Sequence, residues 1–149
     1  TGAVETLLAS FTRWTKDSKS LLERVVSWRS WSLYRLAPLR RFGAGRIALL
    51  GDAAHPVLPY LAQGAALAIE DAVTLAACID ASPGDPPFAL SRYEGLRRPR
   101  VARVQRLSRR YGWLYHLGGP LRPARNFVLE RRNEEGALQR LDWLYRHDG

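Results

Sequence analysis

The stretch 45–72, GRIALLGDAAHPVLPYLAQGAALAIEDA, decides how this chain can fold. It opens on a short apolar run at 46–50, passes through the Gly51-Asp52 pair, crosses a segment holding Pro56 and Pro59, and reaches Gln63-Gly64 before a series of small residues. A short apolar run bounded by glycines predicts a buried strand over 46–50. The proline-studded segment 51–62 reads as loop, and 64–79 as helix. Asp52 then stands just past the C-terminal end of a strand, where open α/β sheets bind their ligands. A carboxylate there can accept from a sugar or sugar-alcohol hydroxyl, each charge-assisted bond being worth about 1.5–3 kcal/mol. The simpler alternative is that Asp52 caps its own turn. At Gln63-Gly64-Ala65 a helix starts with almost no side-chain bulk. Its free N–H groups and the positive end of its dipole can therefore touch a planar, partly anionic ligand. Ala65, Ala66, Ala68, Ala72, Ala76 and Ala77 also allow close helix packing.

Outward from this stretch, 5–14 and 16–26 read as helices, with Asp17 or Ser18 as the cap between them. Residues 31–36 alternate large apolar and polar side chains before Ala37-Pro38, which predicts a strand. The 81–87 segment, rich in proline, is a connector. A long helix is expected over 88–116, kinked or restarted near Pro99, which lacks the donor a helix interior needs. Gly118-Gly119-Pro120 ends it, and 122–132 and 135–145 read as two short closing helices. The run Gly43-Ala44-Gly45-Arg46-Ile47-Ala48 matches the loose dinucleotide fingerprint G-x-G-x-x-A. That fingerprint works only after a strand and before a helix; here it precedes a strand and reads as a turn.

The 149 residues are 46% hydrophobic and 25% charged, the composition of an ordinary globular domain. No apolar run approaches the roughly 20 residues that cross a bilayer. A single cysteine, Cys78, excludes an internal disulfide framework and fits a reducing, cytoplasmic setting. The absence of methionine suggests that Thr1 is not the natural start and that an N-terminal part of the protein is missing. The net charge of +9 raises the possibility of a basic module that binds nucleic acid. Its arginines concentrate in 92–110, where Tyr93, Leu96, Val101, Val104, Leu107, Tyr111 and Leu114 trace an apolar stripe. The arginines then occupy the opposite, solvated face or pair with acidic segments missing from this piece. No zinc-finger spacing, RNA-binding strand motif or zipper supports nucleic acid. Asp52 and His55 lack a third metal ligand at sensible spacing, and no G-x-S-x-G elbow marks a nucleophile. Cys78, among alanines, reads as a packed residue. Trp28, Trp31 and Tyr34 read as core aromatics, with an aromatic-substrate pocket as the alternative.

With these residues in place a family resemblance emerges. The sequence Gly45-Arg46-Ile47-Ala48-Leu49-Leu50-Gly51-Asp52-Ala53-Ala54-His55-Pro56, then Pro59, Gln63-Gly64 and Glu70-Asp71-Ala72, resembles the second flavin motif of the single-component FAD-dependent aromatic monooxygenases, the salicylate and hydroxybenzoate hydroxylases. Ser91-Arg92-Tyr93-Glu94-Gly95-Leu96-Arg97-Arg98-Pro99-Arg100 is similar to the helix that follows in that family, and Trp143-Leu144-Tyr145 to the tail of its salicylate hydroxylase-like branch. The resemblance implies an α/β fold, the C-terminal part of a glutathione reductase-like Rossmann monooxygenase, mainly helical here with a few strands. It implies three regions: 1–38 ending a substrate domain, 39–80 carrying the flavin motif, and 81–149 forming a C-terminal helical region. It also implies FAD as cofactor, NAD(P)H as co-substrate and a small aromatic compound as substrate. Under it, Gly51 and Asp52 bind the ribityl chain near the pyrophosphate. Gln63, Gly64 and Ala65 offer backbone to the isoalloxazine, and Pro59 shapes the catalytic wall where flavin meets substrate. The family's N-terminal G-x-G-x-x-G loop and middle Asp-Gly motif are absent, so this piece alone should hold FAD poorly.

Overall fold

The computed structural model describes residues 4–131, 136 and 139–146, and the chain divides into two compact units, Thr1–Leu33 and Tyr34–Gly149. In the first unit, α1 spans Val4–Ser10 and α2 spans Lys16–Glu23, both shorter than their expected ranges. Thr15 caps α2, its hydroxyl accepting from the Ser18 N–H at 3.3 Å. Asp17 and Ser18 are already inside the first turn, where a side chain no longer reaches back over the free donors. Trp28 donates its indole N–H to the Leu22 carbonyl at 3.1 Å, satisfying an acceptor at the end of α2.

In the second unit, β1 (Gly43–Ala44) and β2 (Ile47–Ala48) form an antiparallel ribbon that pairs Gly43 with Ala48 and Ala44 with Ile47. The G-x-G-x-x-A match is therefore a hairpin, as its position before a strand implied. The buried strand expected over 46–50 is corrected: only Ile47–Ala48 is strand, and Ile47 is 72% exposed. Burial on both faces needs a multi-stranded sheet, and the described residues contain only this ribbon. The strand expected over 31–36 is absent for a related reason. Alternation supplies one apolar face, but an extended backbone needs a ladder partner, and none lies among the described residues. Trp31 and Tyr34, read as core, are exposed.

The mass of the unit is helical: α3 (Gly64–Asp80), α4 (Pro86–Tyr115), α5 (Leu121–Glu130) and α6 (Asp142–Tyr145). Of the helix expected over 135–145, residues 135, 137 and 138 lie outside the described residues, as does residue 132 of the helix expected over 122–132. Asp85 accepts from the Phe88 N–H at 3.1 Å and Pro86 occupies the first turn, a favourable helix start. Of the kink or restart expected near Pro99, the restart does not occur; α4 continues through it. The carbonyl that Pro99 deprives of a donor belongs to Gly95, which is exposed and can bond to water instead.

The buried line of α4 runs through Ala89, Tyr93, Arg97, Val101, Val104, Gln105, Ser108 and Gly112. It differs from the apolar stripe in one telling place: Leu96 is exposed and Arg97 is buried. Hydrophobicity alone puts an arginine in water, but α3 carries two carboxylates opposite this position. Polar groups along the same helix hold the irregular segments. Glu94 accepts from the Phe42 N–H, Arg98 donates to the Arg40 carbonyl, Gln105 to Pro56 and Ser108 to Leu58. The loop thus has its backbone polarity met by side chains rather than by a sheet. Cys78 is buried in the core beside these elements, as its alanine-rich surroundings suggested.

The turn at 59–61 seats the Tyr60 ring where a β-carbon on Gly112 would collide with it. That ring also meets Tyr115 and His116 edge-on, at centroid distances of 6.0 and 5.9 Å. Gly95, on the same helix, has nothing within 4 Å of the equivalent point. One substitution at the two sites therefore has opposite signs. Gly95→Ala should raise stability by about 0.5–1 kcal/mol through helix propensity, whereas Gly112→Ala should lower it by about 1–3 kcal/mol through overpacking. Urea unfolding of both variants beside the parent checks this, and equal effects would refute the Tyr60 contact.

Candidate functional site

Gly51 and Asp52 open a short 3-10 turn, Gly51–Ala53, packed on α3. Gly51 has φ 58°, and a β-carbon there would come within 3.2 Å of the Ala68 Cβ, so both backbone and space call for glycine. Its N–H donates to Asp71 Oδ2 at 3.0 Å. Its carbonyl accepts from the Ala54 and His55 N–H groups at 3.0 and 2.9 Å. The residue before Asp52 is thereby held on both sides. Asp52 itself is exposed, and its carboxylate enters no hydrogen bond among the described residues. It is not spent on capping its own turn.

Across from it, α3 begins at Gly64. A β-carbon on Gly64 would stand 3.9 Å from Asp52 Oδ1 and 3.7 Å from Val57 Cγ2, so the bare glycine leaves open the space between carboxylate and helix end. No side chain caps α3, and the Gly64 and Ala65 N–H groups are without protein partners among the described residues. The mouth combines an acceptor of hydroxyl protons with donors at the positive end of a helix 17 residues long. That donor set suits a ligand with a polyol and a polar, electron-rich edge, and so fits FAD. Gln63 is only 6% exposed, and its carbonyl is engaged by the Leu67 N–H at 2.9 Å. Pro59 is exposed at the start of a separate turn that packs on α4. The structure brings Gly51, Asp52 and Gly64 together; it records no contact joining Pro59 to them.

Behind the mouth lies a cluster that the sequence reading did not assign a role. Asp71, 0% exposed, receives the Gly51 N–H and His55 Nε2 on Oδ2, the latter at 2.5 Å, and Arg97 Nε on Oδ1 at 2.6 Å. Arg97 Nη2 also meets Glu70 Oε2 at 2.7 Å. Glu70 in turn grips Arg100 through both oxygens, at 2.6 and 2.5 Å. Arg100 reaches the carbonyls of Trp143 and Leu144 beyond α4. Burial pushes the Asp71 carboxyl upward, but hydrogen bonds from His55, Arg97 and Gly51 outweigh it and hold the group below the usual aspartate range. Glu70 is likewise held low, burial being outweighed by bonds from Arg100 and Arg97. The signal for this cluster was Glu70-Asp71, two acids inside a small-residue helix, together with the four-residue step from Tyr93 to Arg97.

These contacts correct one expectation. The arginines of α4 do not all face outward, since Arg97 and Arg100 close buried or half-buried ion pairs. His55 turns away from Asp52 toward Asp71. Among the described residues no group of three or more His, Cys, Asp or Glu could hold a metal ion. No helix among them is long and apolar enough to cross a membrane.

Known proteins were compared with this arrangement. A family model described as FAD binding domain matches residues 12–108. The chain is 38% identical over 144 residues to 3-hydroxybenzoate 6-hydroxylase of Klebsiella oxytoca, covering 97% of this chain and 36% of that protein. It is 42% identical to 3-amino-4-hydroxybenzoate 2-monooxygenase of Streptomyces cremeus, with the same coverage. It is 38% identical to salicylate hydroxylase of Pseudomonas putida, covering 95% of this chain and 32% of that protein. The crystal structure of FqzB superposes with a TM-score of 0.78 at 27% identity, over 99% of this chain and 35% of that one. The chain thus spans about a third of the length of these relatives.

The depressed carboxylates set a pH dependence. A group whose folded pKa lies below its unfolded value near 4 stabilises the fold above that pH, and the contribution disappears as pH falls through the folded value. The second unit should therefore lose stability steeply below about pH 4. Asp71→Asn, which leaves Glu70 as the one acid on Arg97 and puts a neutral amide opposite His55, should cost about 1.5–3 kcal/mol at neutral pH. The gap to the parent should narrow at acid pH, as the Asp71 carboxyl of the parent itself becomes protonated below the usual aspartate range. Urea unfolding at both pH values measures the gap, and one that stays constant would contradict an ionised Asp71.

Proposed function

Because this chain belongs to the FAD-binding domain family and FAD is that family's cofactor, we propose that it supplies the ribityl and pyrimidine-edge contacts of an FAD-dependent hydroxylase of small aromatic compounds. The observation that carries the reading is the unspent Asp52 carboxylate facing the uncapped, side-chain-free start of α3. The names of the relatives support the aromatic substrate, and their greater length supports a longer enzyme in which this chain is the C-terminal part. In that enzyme, 1–38 would end the substrate-binding region, 39–80 would carry the flavin motif and 81–149 would brace it. The ribbon and α3 would adjoin a Rossmann sheet of the glutathione reductase type. The exposed Ile47 and the exposed outer face of α3 at Ile69 and Val73 are apolar surface suited to such a neighbour.

Within this reading each residue has a limited task. Asp52 accepts from ribityl hydroxyls and so sets the distance of the ring from the protein. The Gly64 and Ala65 N–H groups donate to the pyrimidine edge, where the helix terminus favours negative charge by about 0.3–1 kcal/mol, more when buried. Gly51 gives the backbone its approach, and Gln63 acts through its backbone, its side chain being turned inward. Pro59 forms wall between cofactor and substrate and holds no proton. When bound, FAD supplies the redox chemistry, taking electrons from NAD(P)H and activating O2 to put one oxygen on the aromatic ring; the protein positions it and keeps water out.

In the whole protein, Asp52→Ala removes an acceptor worth about 1.5–3 kcal/mol, so FAD should bind roughly ten- to a hundredfold more weakly. The fold should change far less, because an exposed loop carboxylate contributes little to the core. Flavin titration followed by fluorescence, beside the thermal melt, reads both. Retention of FAD at the parent's affinity would remove Asp52 from the site.

A further inference from the structure

Among the described residues no sheet beyond the β1–β2 ribbon supports the Gly51-Asp52 turn, and one buried side chain on α3 holds it. Asp71 Oδ2 takes two donors at once, the Gly51 N–H at 3.0 Å and His55 Nε2 at 2.5 Å. His55 closes the other side of the turn, because its own N–H donates to the Gly51 carbonyl at 2.9 Å. The ring of His55 is thus tied to the carboxylate, and its backbone N–H to the carbonyl of the same residue, Gly51, whose N–H the carboxylate holds. Arg97, on Oδ1, keeps the carboxylate from rotating and balances its charge. His55 is 2% exposed and Asp71 is 0% exposed, so neither can touch a ligand at the mouth. A buried His–Asp pair with no access to substrate invites a purely architectural reading, but its bonds converge on the one residue that precedes Asp52.

We propose that His55 and Asp71 are positioning residues for the cofactor: they clamp the Gly51 peptide from both sides and so fix the Asp52 carboxylate at the distance from the start of α3 that the ribityl chain requires. The inference rests on the flavin reading above and adds to it a pair of residues that act without contacting the ligand. Their effect on affinity passes through Asp52. A turn free to shift by an ångström keeps its carboxylate but loses the alignment with the Gly64 and Ala65 N–H groups, and charge-assisted hydrogen bonds weaken steeply with misalignment.

The test uses the whole flavoprotein, with FAD affinity measured by fluorescence titration and folding by thermal melt. His55→Leu removes the donor to Asp71; His55→Gln returns an N–H at similar reach; Asp52→Ala removes the group through which the pair is said to act. His55→Leu is expected to weaken FAD binding about tenfold or more, and His55→Gln to keep it within about threefold of the parent. In the Asp52→Ala background, His55→Leu should add less than twofold, the non-additivity of residues acting as a unit. If His55→Leu weakens binding equally in both backgrounds, or if it lowers the melting temperature with affinity unchanged, the proposal is overturned. Should His55→Leu fail to fold, His55→Asn, a shorter amide that falls short of Asp71, takes its place against His55→Gln in the same cycle. A parent protein that binds no FAD defeats the flavin reading itself. A parent that binds FAD, with an additive cycle, defeats only the clamp.

Discussion

The carboxylate of Asp71 is the constraint on which the second unit depends. It is fully buried, and an ionised group in such a place is tolerated only when its lone pairs are filled and its charge is met. Three donors from three parts of the chain do this: the Gly51 peptide, the His55 ring and the Arg97 guanidinium. Each is 16 to 26 residues away in sequence, so the contact draws the motif loop, α3 and α4 to a single point. The apolar core around Leu67, Tyr93 and Val104 supplies the burial, while the carboxylate decides the register in which the elements meet. Tyr93 is part of the same arrangement. Its hydroxyl donates to the Leu49 carbonyl at 3.3 Å, and burial, with the nearby Asp71 charge, pushes its ionisation well above the usual range.

A loop of this kind is expensive to hold without a sheet. Between Phe42 and Leu61 the backbone forms one small ribbon and two 3-10 turns, leaving many peptide groups without ladder partners. Helix α4 meets that need with Glu94, Arg98, Gln105 and Ser108, each bonded to a backbone group of the segment 40–58. The helix therefore acts as a polar template as much as an apolar one. Strain gathers where the template ends: Ala62, just before α3, holds φ 51°, a left-handed conformation that costs a non-glycine residue on the order of 1–2 kcal/mol. It lies at the entrance of the helix whose first N–H groups have no protein partner among the described residues.

Much of this was legible in the sequence. The bare start of α3 was visible in Gln63-Gly64-Ala65, the loop in its prolines, and the turn with its exposed acid in Gly51-Asp52, because those signals are local. What failed was whatever needed a distant partner. The alternation at 31–36 and the apolar run at 46–50 are strand patterns whose ladders are not among the described residues, and without them the backbone stays irregular or pairs only as a hairpin. Arg97 was placed in solvent because a periodicity count knows hydrophobicity but not compensation; its position is intelligible only once Glu70 and Asp71 stand opposite.

The chain of ion pairs from Gly51 through Asp71, Arg97, Glu70 and Arg100 to the carbonyls of Trp143 and Leu144 has a consequence for inheritance and for engineering. Its members are spread over more than ninety positions, and exchanging any of the acids or arginines alone takes a partner from a buried or half-buried charge. Such a set drifts only by concerted replacement, so it should travel through descent as one allele-like block while the residues between its members vary. The same holds for a chimera. A graft of the motif loop from one scaffold to another carries only half of its instructions, because the other half is written in two helices and a tail that the recombination boundary would leave behind.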